Sequence, residues 1–461
     1  MDSEFAAMER AAQAAIAYRQ GVAGAVTTPV ADYAAMLAAF AGPVPERGSD
    51  ADTIIAELVE KATPGIRAST GPRFFGWVIG NSHPTGVAAD WLASAWGQNA
   101  ANLTAAPAAS AVEKVAADWL LDLLDLPREA SVGLVTGATV ANFVCLAAAR
   151  SEVLARVGWD VEADGMFGAP PIHVLIGADA HATVFSALKY LGLGAKRVKT
   201  VASDSLGRIE ARDFERVLRG CDGPVIAIAQ AGQINTGACD PFAEIAPIAR
   251  EAGAWLHVDG AFGLWAQAAP ARAHLTAGVE QADSWATDGH KWLQTPYDCG
   301  FAIVRNAEAH RRAMAVSASY LPPAEGAERD PSAYVPELSR RARGFAVWAM
   351  IRRLGRAGIA EMVERHCVVA AHMGARLAEA GANLVCPVEL NQFMVRFGDS
   401  DAETLAVVRQ VQEDAIAFIG SAKWHGRWVM RVSVSSIATT MADGDVTVDA
   451  VLSAWAKVRS R

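Results

Sequence analysis

Lys291 stands between His290 and Trp292 in the stretch ADSWATDGHKWLQTPYDCG, which otherwise carries little charge. An amine kept out of water is partly free base, and a free amine attacks a carbonyl to form a Schiff base. A surface lysine with its stem along the tryptophan would look the same in sequence. Upstream, WLHVDGAFG puts Asp259 at the end of a large apolar run. A carboxylate there is costly unless a cation partners it, although a helix cap or an arginine salt bridge would also serve. In GADAHATVFSALKYLG, His181 follows the run HVLIGA, and its imidazole could lie flat on an aromatic ligand or satisfy a core hydrogen bond. In LVTGATVANF, the residues Gly137, Ala138 and Thr139 open a helix after a strand. Small residues there let free backbone N–H groups approach a phosphate, and an ordinary strand-to-helix turn has the same composition.

Taken together these four places fit one cofactor better than any metal or nucleotide. Pyridoxal phosphate needs an amine for its aldehyde, an anion for its pyridinium nitrogen, a flat group against its ring and donors for its phosphate. Such residues meet beyond the carboxyl ends of the strands of an open α/β sheet.

The chain supplies that sheet. Between about 130 and 305, the runs GLVTG, HVLIGA, RVKTVA, PVIAIAQ, AWLHVDGA and FAIVR alternate with helical stretches. Continuous apolar strands separated by helices predict a mostly parallel sheet covered on both faces, hence an α/β fold. Before it, apolar residues at helical spacing from Ser3 to about Phe40 predict an N-terminal helical arm, followed by a helix capped at Ser49 or Asp50. After it, helices between alternating strands predict a small α+β C-terminal domain. The expected division is an arm over 1–78, a large domain over 79–345 and a small domain over 346–461.

Composition excludes several classes. A net charge of -9 with dispersed charges leaves no basic stripe for nucleic acid. The cysteines Cys145, Cys221, Cys239, Cys299, Cys367 and Cys386 form no C-x-x-C pair, so neither a zinc site, nor any other metal, nor a disulfide framework is expected. The opening MDSEFAAMERAAQAAIAYRQ lacks the basic-then-apolar order of a signal peptide, and no segment reads as apolar over the roughly 18 residues that span a bilayer. The expectation is a cytoplasmic protein without a membrane partner.

The motifs DGHKW, HVDGA, TGATVAN and DAHATV, with RFFGWVIGNSHP and PAASAVEKVAADWLLDLL before them, resemble the group II pyridoxal-phosphate decarboxylases, whose members include aromatic-L-amino-acid, histidine and glutamate decarboxylases. The likeness runs from about residue 50 onward and implies a fold-type I, PLP-dependent transferase-like architecture. It implies that Lys291 holds the cofactor covalently, Asp259 keeps the pyridine nitrogen protonated, Ala261 leaves room for the ring and His181 stacks on it. It further implies that Ala138, Thr139, Asp288 and His290 surround the phosphate, though Asp288 is an anion where a neutral donor is expected.

The implied activity is decarboxylation of an L-amino acid, in a homodimer whose sites lie between subunits with exchanged arms. Phe74, Phe75, Trp77, Val78 and Ile79 would form an apolar wall favouring an aromatic or aliphatic side chain, and Arg431 could bind a carboxylate or sit in an ion pair. One departure stands out. The family's loop tyrosine, which protonates the carbanion, falls near Pro331, with Tyr334 three residues later and Tyr320 farther up the same loop. That leaves open oxidative conversion to an aldehyde, transamination or carbon–carbon cleavage. A non-catalytic paralogue is disfavoured because Lys291, Asp259 and His181 are all present. The polar, proline-broken loop from Ser317 to Leu338 is expected to be mobile and to close over the substrate.

Overall fold

A computed structural model describes residues 3–316 and 329–461. Most of the loop expected to close over the substrate, including Tyr320, lies outside the described residues.

The central sheet has seven strands: β1 Ser131–Val135, β2 His173–Gly177, β3 Lys199–Val201, β4 Val225–Gln230, β5 Trp255–Asp259, β6 Ser284–Asp288 and β7 Gly300–Val304. Their order is β1-β7-β6-β5-β4-β2-β3. The pairs β2/β3, β2/β4, β4/β5 and β5/β6 are parallel, whereas β7 runs antiparallel to both β6 and β1. The exception has a local cause. Helices return the chain between the parallel neighbours, but no helix lies between β6 and β7, so the chain comes straight back. Strands β1, β4, β5, β6 and β7 are buried along their whole length, which is why all of them but β6 read as largely apolar runs.

The helix Ala138–Ala155 contacts β5, β6 and β7. It is long and apolar enough to cross a membrane, contrary to the sequence expectation, but two-thirds of it is buried inside the protein. It is a core helix. A hydrogen-bonded chain fixes it to the strands: Trp255 Nε1 donates to Ser284 Oγ at 2.9 Å, Ser284 Oγ lies 2.9 Å from His257 Nδ1, and His257 Nε2 lies 2.8 Å from Asn142 Oδ1. Burial lowers the His257 pKa to about 3, so the ring is neutral and one nitrogen donates while the other accepts.

In the arm, helices Ser3–Gly21 and Ala51–Ala62 pack together, tied by the Arg10–Asp52 ion pair at 2.5 Å. Asp50, rather than Ser49, caps the second by accepting from Thr53 N–H at 3.1 Å. The C-terminal part builds a four-stranded sheet in the order β10-β11-β9-β8, from β8 Asn383–Leu384, β9 Gln392–Arg396, β10 Gly420–Trp424 and β11 Arg427–Ser433. The helix Gly344–Glu379, bent at Gly355 where φ is +61°, joins the two halves. Its Val347, Met350 and Ile351 pack in the core of the large sheet, whereas Val369, Met373 and Leu377 pack in that of the small one. The boundary expected at 345/346 falls in its first turn.

Candidate active site

Parallel register gathers the chemistry at one edge. Gln230 at the end of β4 pairs with Asp259 at the end of β5, which pairs in turn with Ala286 on β6. Across β7, Gly300 pairs with both Val135 and Asp288, so the turn after β1 lies beside the turn after β6. A Cβ at Gly300 would overlap the backbone of Gly137, and one at Gly137 would come within 3.0 Å of His290 Cε1 and 3.3 Å of Asp288 Oδ1. The glycines are what let these turns meet.

A cavity of about 410 Å³ opens there, lined by Ile79, Ala138, Thr139, His181, Gln230, Asp259, Ala261, Asp288, His290, Lys291 and Tyr297 among others. Lys291 Nζ lies 3.0 Å from Asp288 Oδ2, and the other oxygen of that carboxylate accepts from Ala138 N–H at 2.6 Å. Asp288 therefore acts as an acceptor and counter-ion, not as a donor to an anion. His290 Nδ1 accepts from Cys299 N–H at 3.2 Å, which leaves Nε2 to carry the proton, 3.6 Å from Asp288 Oδ1. Burial lowers the His290 pKa, against the pull of Asp288.

Asp259 is buried and accepts from Ala261 N–H at 3.2 Å. Among the described residues it makes no ion pair. Burial pushes its carboxyl pKa up, opposed by the charges of His181 and Lys291 and by the Ala261 N–H. His181 caps the helix Ala182–Tyr190, its Nδ1 accepting from Thr183 N–H at 3.3 Å and lying 2.8 Å from Thr183 Oγ1. Burial lowers its pKa. The donor set fits pyridoxal phosphate: a helix N-terminus and Thr139 suit a phosphate, an unpaired buried carboxylate suits a ring cation, and an amine lies in the same cavity.

Other expected residues lie elsewhere. Phe75 is fully buried in the small-domain core with Met373 and Phe393, so it forms no substrate wall. Trp77 is half exposed and leans on Phe74 and Phe418, with ring centroids 5.9 and 4.8 Å away. Neither lines the cavity; of that expected wall only Ile79 does. Trp77 and Val78 both adopt left-handed backbone, at φ +56° and +55°, so the chain turns between Phe75 and Ile79 and the five residues do not share one face.

Arg431 on β11 is half-buried outside the lining and donates to Asn235 Oδ1 at 3.2 Å. Burial brings its pKa down to about 10, and among the described residues it forms no ion pair. Tyr334 also lies outside its own chain's cavity. Its ring packs edge-on against His310 at 5.1 Å and under the Arg329 guanidinium at 4.2 Å. Arg329 donates to the carbonyl of Val132 and Arg340 to that of Leu134, at 2.7 Å for the second, which pins this segment along the edge strand β1. A Cβ at Gly133 would overlap the Tyr334 carbonyl.

Sequence reasoning missed Gln230 and Tyr297. Gln230 ends the run PVIAIAQ as Asp259 ends its own, so the same strand-end rule would have found it. Tyr297, whose ring lies 4.4 Å from His290, carries no such signal.

The pyridoxal-dependent decarboxylase conserved domain matches residues 35–398 of the chain. An aromatic-L-amino-acid decarboxylase from Bacillus atrophaeus is 27% identical over 81% of this chain and 77% of that protein. A 4-hydroxyphenylacetaldehyde synthase from Rhodiola rosea is 29% identical over 69% of this chain and 66% of that protein. The crystal structure of Oryza sativa TDC with PLP and tryptamine superposes with a TM-score of 0.91 over 98% of this chain and 97% of that one, at 22% identity.

Proposed function

The chain belongs to the pyridoxal-dependent decarboxylase family, and from that premise we propose that it decarboxylates an L-amino acid whose side chain is aromatic or apolar. The observation that carries this is the cavity in which Lys291, its counter-ion Asp288, the unpaired Asp259 and a helix N-terminus converge. Two of the relatives bear names of enzymes acting on, or making, aromatic compounds.

Pyridoxal phosphate, when bound, supplies a sink for the electron pair released as the carboxyl group leaves. Lys291 would hold it covalently, and Asp288, 3.0 Å from the amine, holds that amine in the cavity. Asp259 would keep a proton on the pyridine nitrogen, His181 would supply a flat group for the ring, and Ala261 would leave it room, all three lining the same cavity. Thr139, with the N–H groups that follow Ala138 at the helix N-terminus, would receive the phosphate, with His290 donating from Nε2; the Ala138 N–H is already taken by Asp288.

A second reading is aldehyde formation with oxygen consumption, because Pro331 stands where the resemblance expects the proton-donating tyrosine and Tyr334 lies outside its own chain's cavity. Reaching a site from there requires a second copy. An L-amino-acid panel assayed for carbon dioxide, amine, ammonia and peroxide separates the two. Amine in step with carbon dioxide from aromatic or apolar substrates is the expected result; ammonia and peroxide in its place make the chain an aldehyde synthase, and turnover confined to glutamate removes the proposed preference.

The family activity is set here in a homodimer. The arm leaves Phe5, Met8, Ile16, Tyr33, Leu37 and Phe40 exposed, Tyr33 by as much as 81%. Helices with uncovered apolar faces need a partner. Light scattering should give twice the chain mass, with activity lost on dissociation; a fully active monomer would refute the dimer.

A further inference from the structure

Lys291 lies between β6 and β7, outside any strand or helix that would take up its backbone carbonyl. Something else must hold that backbone if the amine is to stay in place, because the side chain above it has freely rotating carbons. The group that does so is Gln294. Its side chain is wholly buried, and its backbone is left-handed at φ +60°, a conformation that a branch-free but non-glycine residue adopts only when its surroundings hold it there.

The hydrogen bonds of that carboxamide account for its burial. Nε2 donates to the carbonyl of Lys291 at 2.8 Å and to that of Ser435 at 2.8 Å. Oε1 accepts from Ile437 N–H at 3.0 Å. One orientation of the amide satisfies all three, so oxygen and nitrogen are assigned by their partners. The backbone carbonyl of Gln294 accepts from His83 N–H at 2.9 Å. Ser435 and Ile437 follow β11 of the small domain, and His83 caps the helix Pro84–Trp96. A single residue thus ties Lys291 to the small domain through its side chain and to the segment that enters the large one through its backbone carbonyl.

Two neighbours close the brace. Gly80 lies so near the lysine loop that a Cβ there would overlap the carbonyl oxygens of His290 and Lys291, and Ser435 Oγ donates to the carbonyl of Ile79 at 3.0 Å. On the far side Trp292 Nε1 donates to His366 Nδ1 at 2.8 Å.

We propose that Gln294 is a positioning residue that transmits the docking of the small domain to Lys291, by fastening the lysine carbonyl to the Ser435–Ile437 turn. Gln294 does not line the cavity and touches no reacting atom; it sets where the amine stands. This rests on the reading of Lys291 as the residue that binds the cofactor.

The test separates covalent capture from simple binding. Full-length protein freed of cofactor, as wild type, Gln294→Met and Gln294→Glu, is mixed with pyridoxal phosphate and the imine absorbance followed in time. Non-covalent affinity is measured by tryptophan quenching in Lys291→Ala, with and without Gln294→Met. Imine formation should slow on the order of ten- to a hundredfold in both single variants, as a misplacement of about 1 Å does to a reacting group, while the affinity in the Lys291→Ala background changes less than about twofold. Gln294→Glu keeps the shape and the acceptor for Ile437 and replaces the donor by a carboxyl oxygen facing the Lys291 and Ser435 carbonyls, a different perturbation from Gln294→Met, so the two variants report independently. Imine formation at the wild-type rate, an equal loss of affinity in the Lys291→Ala background, or failure of both single variants to fold overturns the proposal. Absence of an imine in the wild type overturns the Lys291 reading itself, and this inference with it.

Discussion

Lys291→Ala yields a folded protein with no covalently held cofactor and turnover reduced by more than about 10³-fold, the scale expected when a reacting group is lost from a preorganised site. The fold survives because Lys291 contributes one ion pair, to Asp288, and Asp288 keeps its bond from Ala138 N–H. Leaving the buried Asp288 carboxylate without its cation costs about 3–5 kcal/mol. No other amine takes over. Lys189 lies in the helix Ala182–Tyr190 and Lys196 in the turn that follows, while Lys199 Nζ donates to the Gly220 carbonyl at 3.0 Å on the far flank of the sheet. The measurement is the visible imine band together with borohydride reduction and mapping of the labelled peptide. A band that persists in the variant, or a label on another lysine, would remove Lys291 from the reaction.

The sheet was legible for a physical reason. Strands buried on both faces must be apolar throughout, so polar residues at their ends stand out, and Asp259, His181 and the turn at Gly137 were found that way. Strand β6 was not, because SWATD mixes polar with apolar residues; Ser284 is tolerated inside through its bond from Trp255. Residues whose position depends on distant packing were illegible. Phe75 and Ile79 sit on opposite sides of one short segment, and nothing local tells which faces the cavity. Arg340 and Glu113 form a fully buried pair at 2.8 Å between remote parts of the chain, and Tyr334 takes its place from the segment that pair anchors. Gln294 and Gln230 are types that elsewhere lie on the surface, so their roles appear only once their partners are known.

Asp259→Asn separates what the carboxylate does for catalysis from what it does to the fold. A neutral amide at this position cannot stabilise a proton on the pyridine nitrogen, so the ring accepts electrons poorly and the rate falls by roughly 10²–10³-fold or more, the scale of removing one preorganised charge interaction. Lys291 is untouched, so the imine still forms. Stability moves the other way. In the protein without cofactor, Asp259 is buried, lacks an ion-pair partner among the described residues, and has its pKa raised by burial. The folded chain then binds a proton at this site more readily than the unfolded chain, and stability falls as pH rises above the ordinary carboxylate range. The amide carries no such cost, and its oxygen still accepts from Ala261 N–H. Cofactor-free Asp259→Asn should therefore melt at or above the wild-type temperature, with a gap that widens as the pH rises above the ordinary carboxylate range and the wild-type carboxyl ionises, while its loaded form stays nearly inactive. Near wild-type turnover would make Asp259 a structural residue only. A variant that melts lower at every pH would mean that the fold already compensates the buried carboxylate, and that it does not wait for a cation.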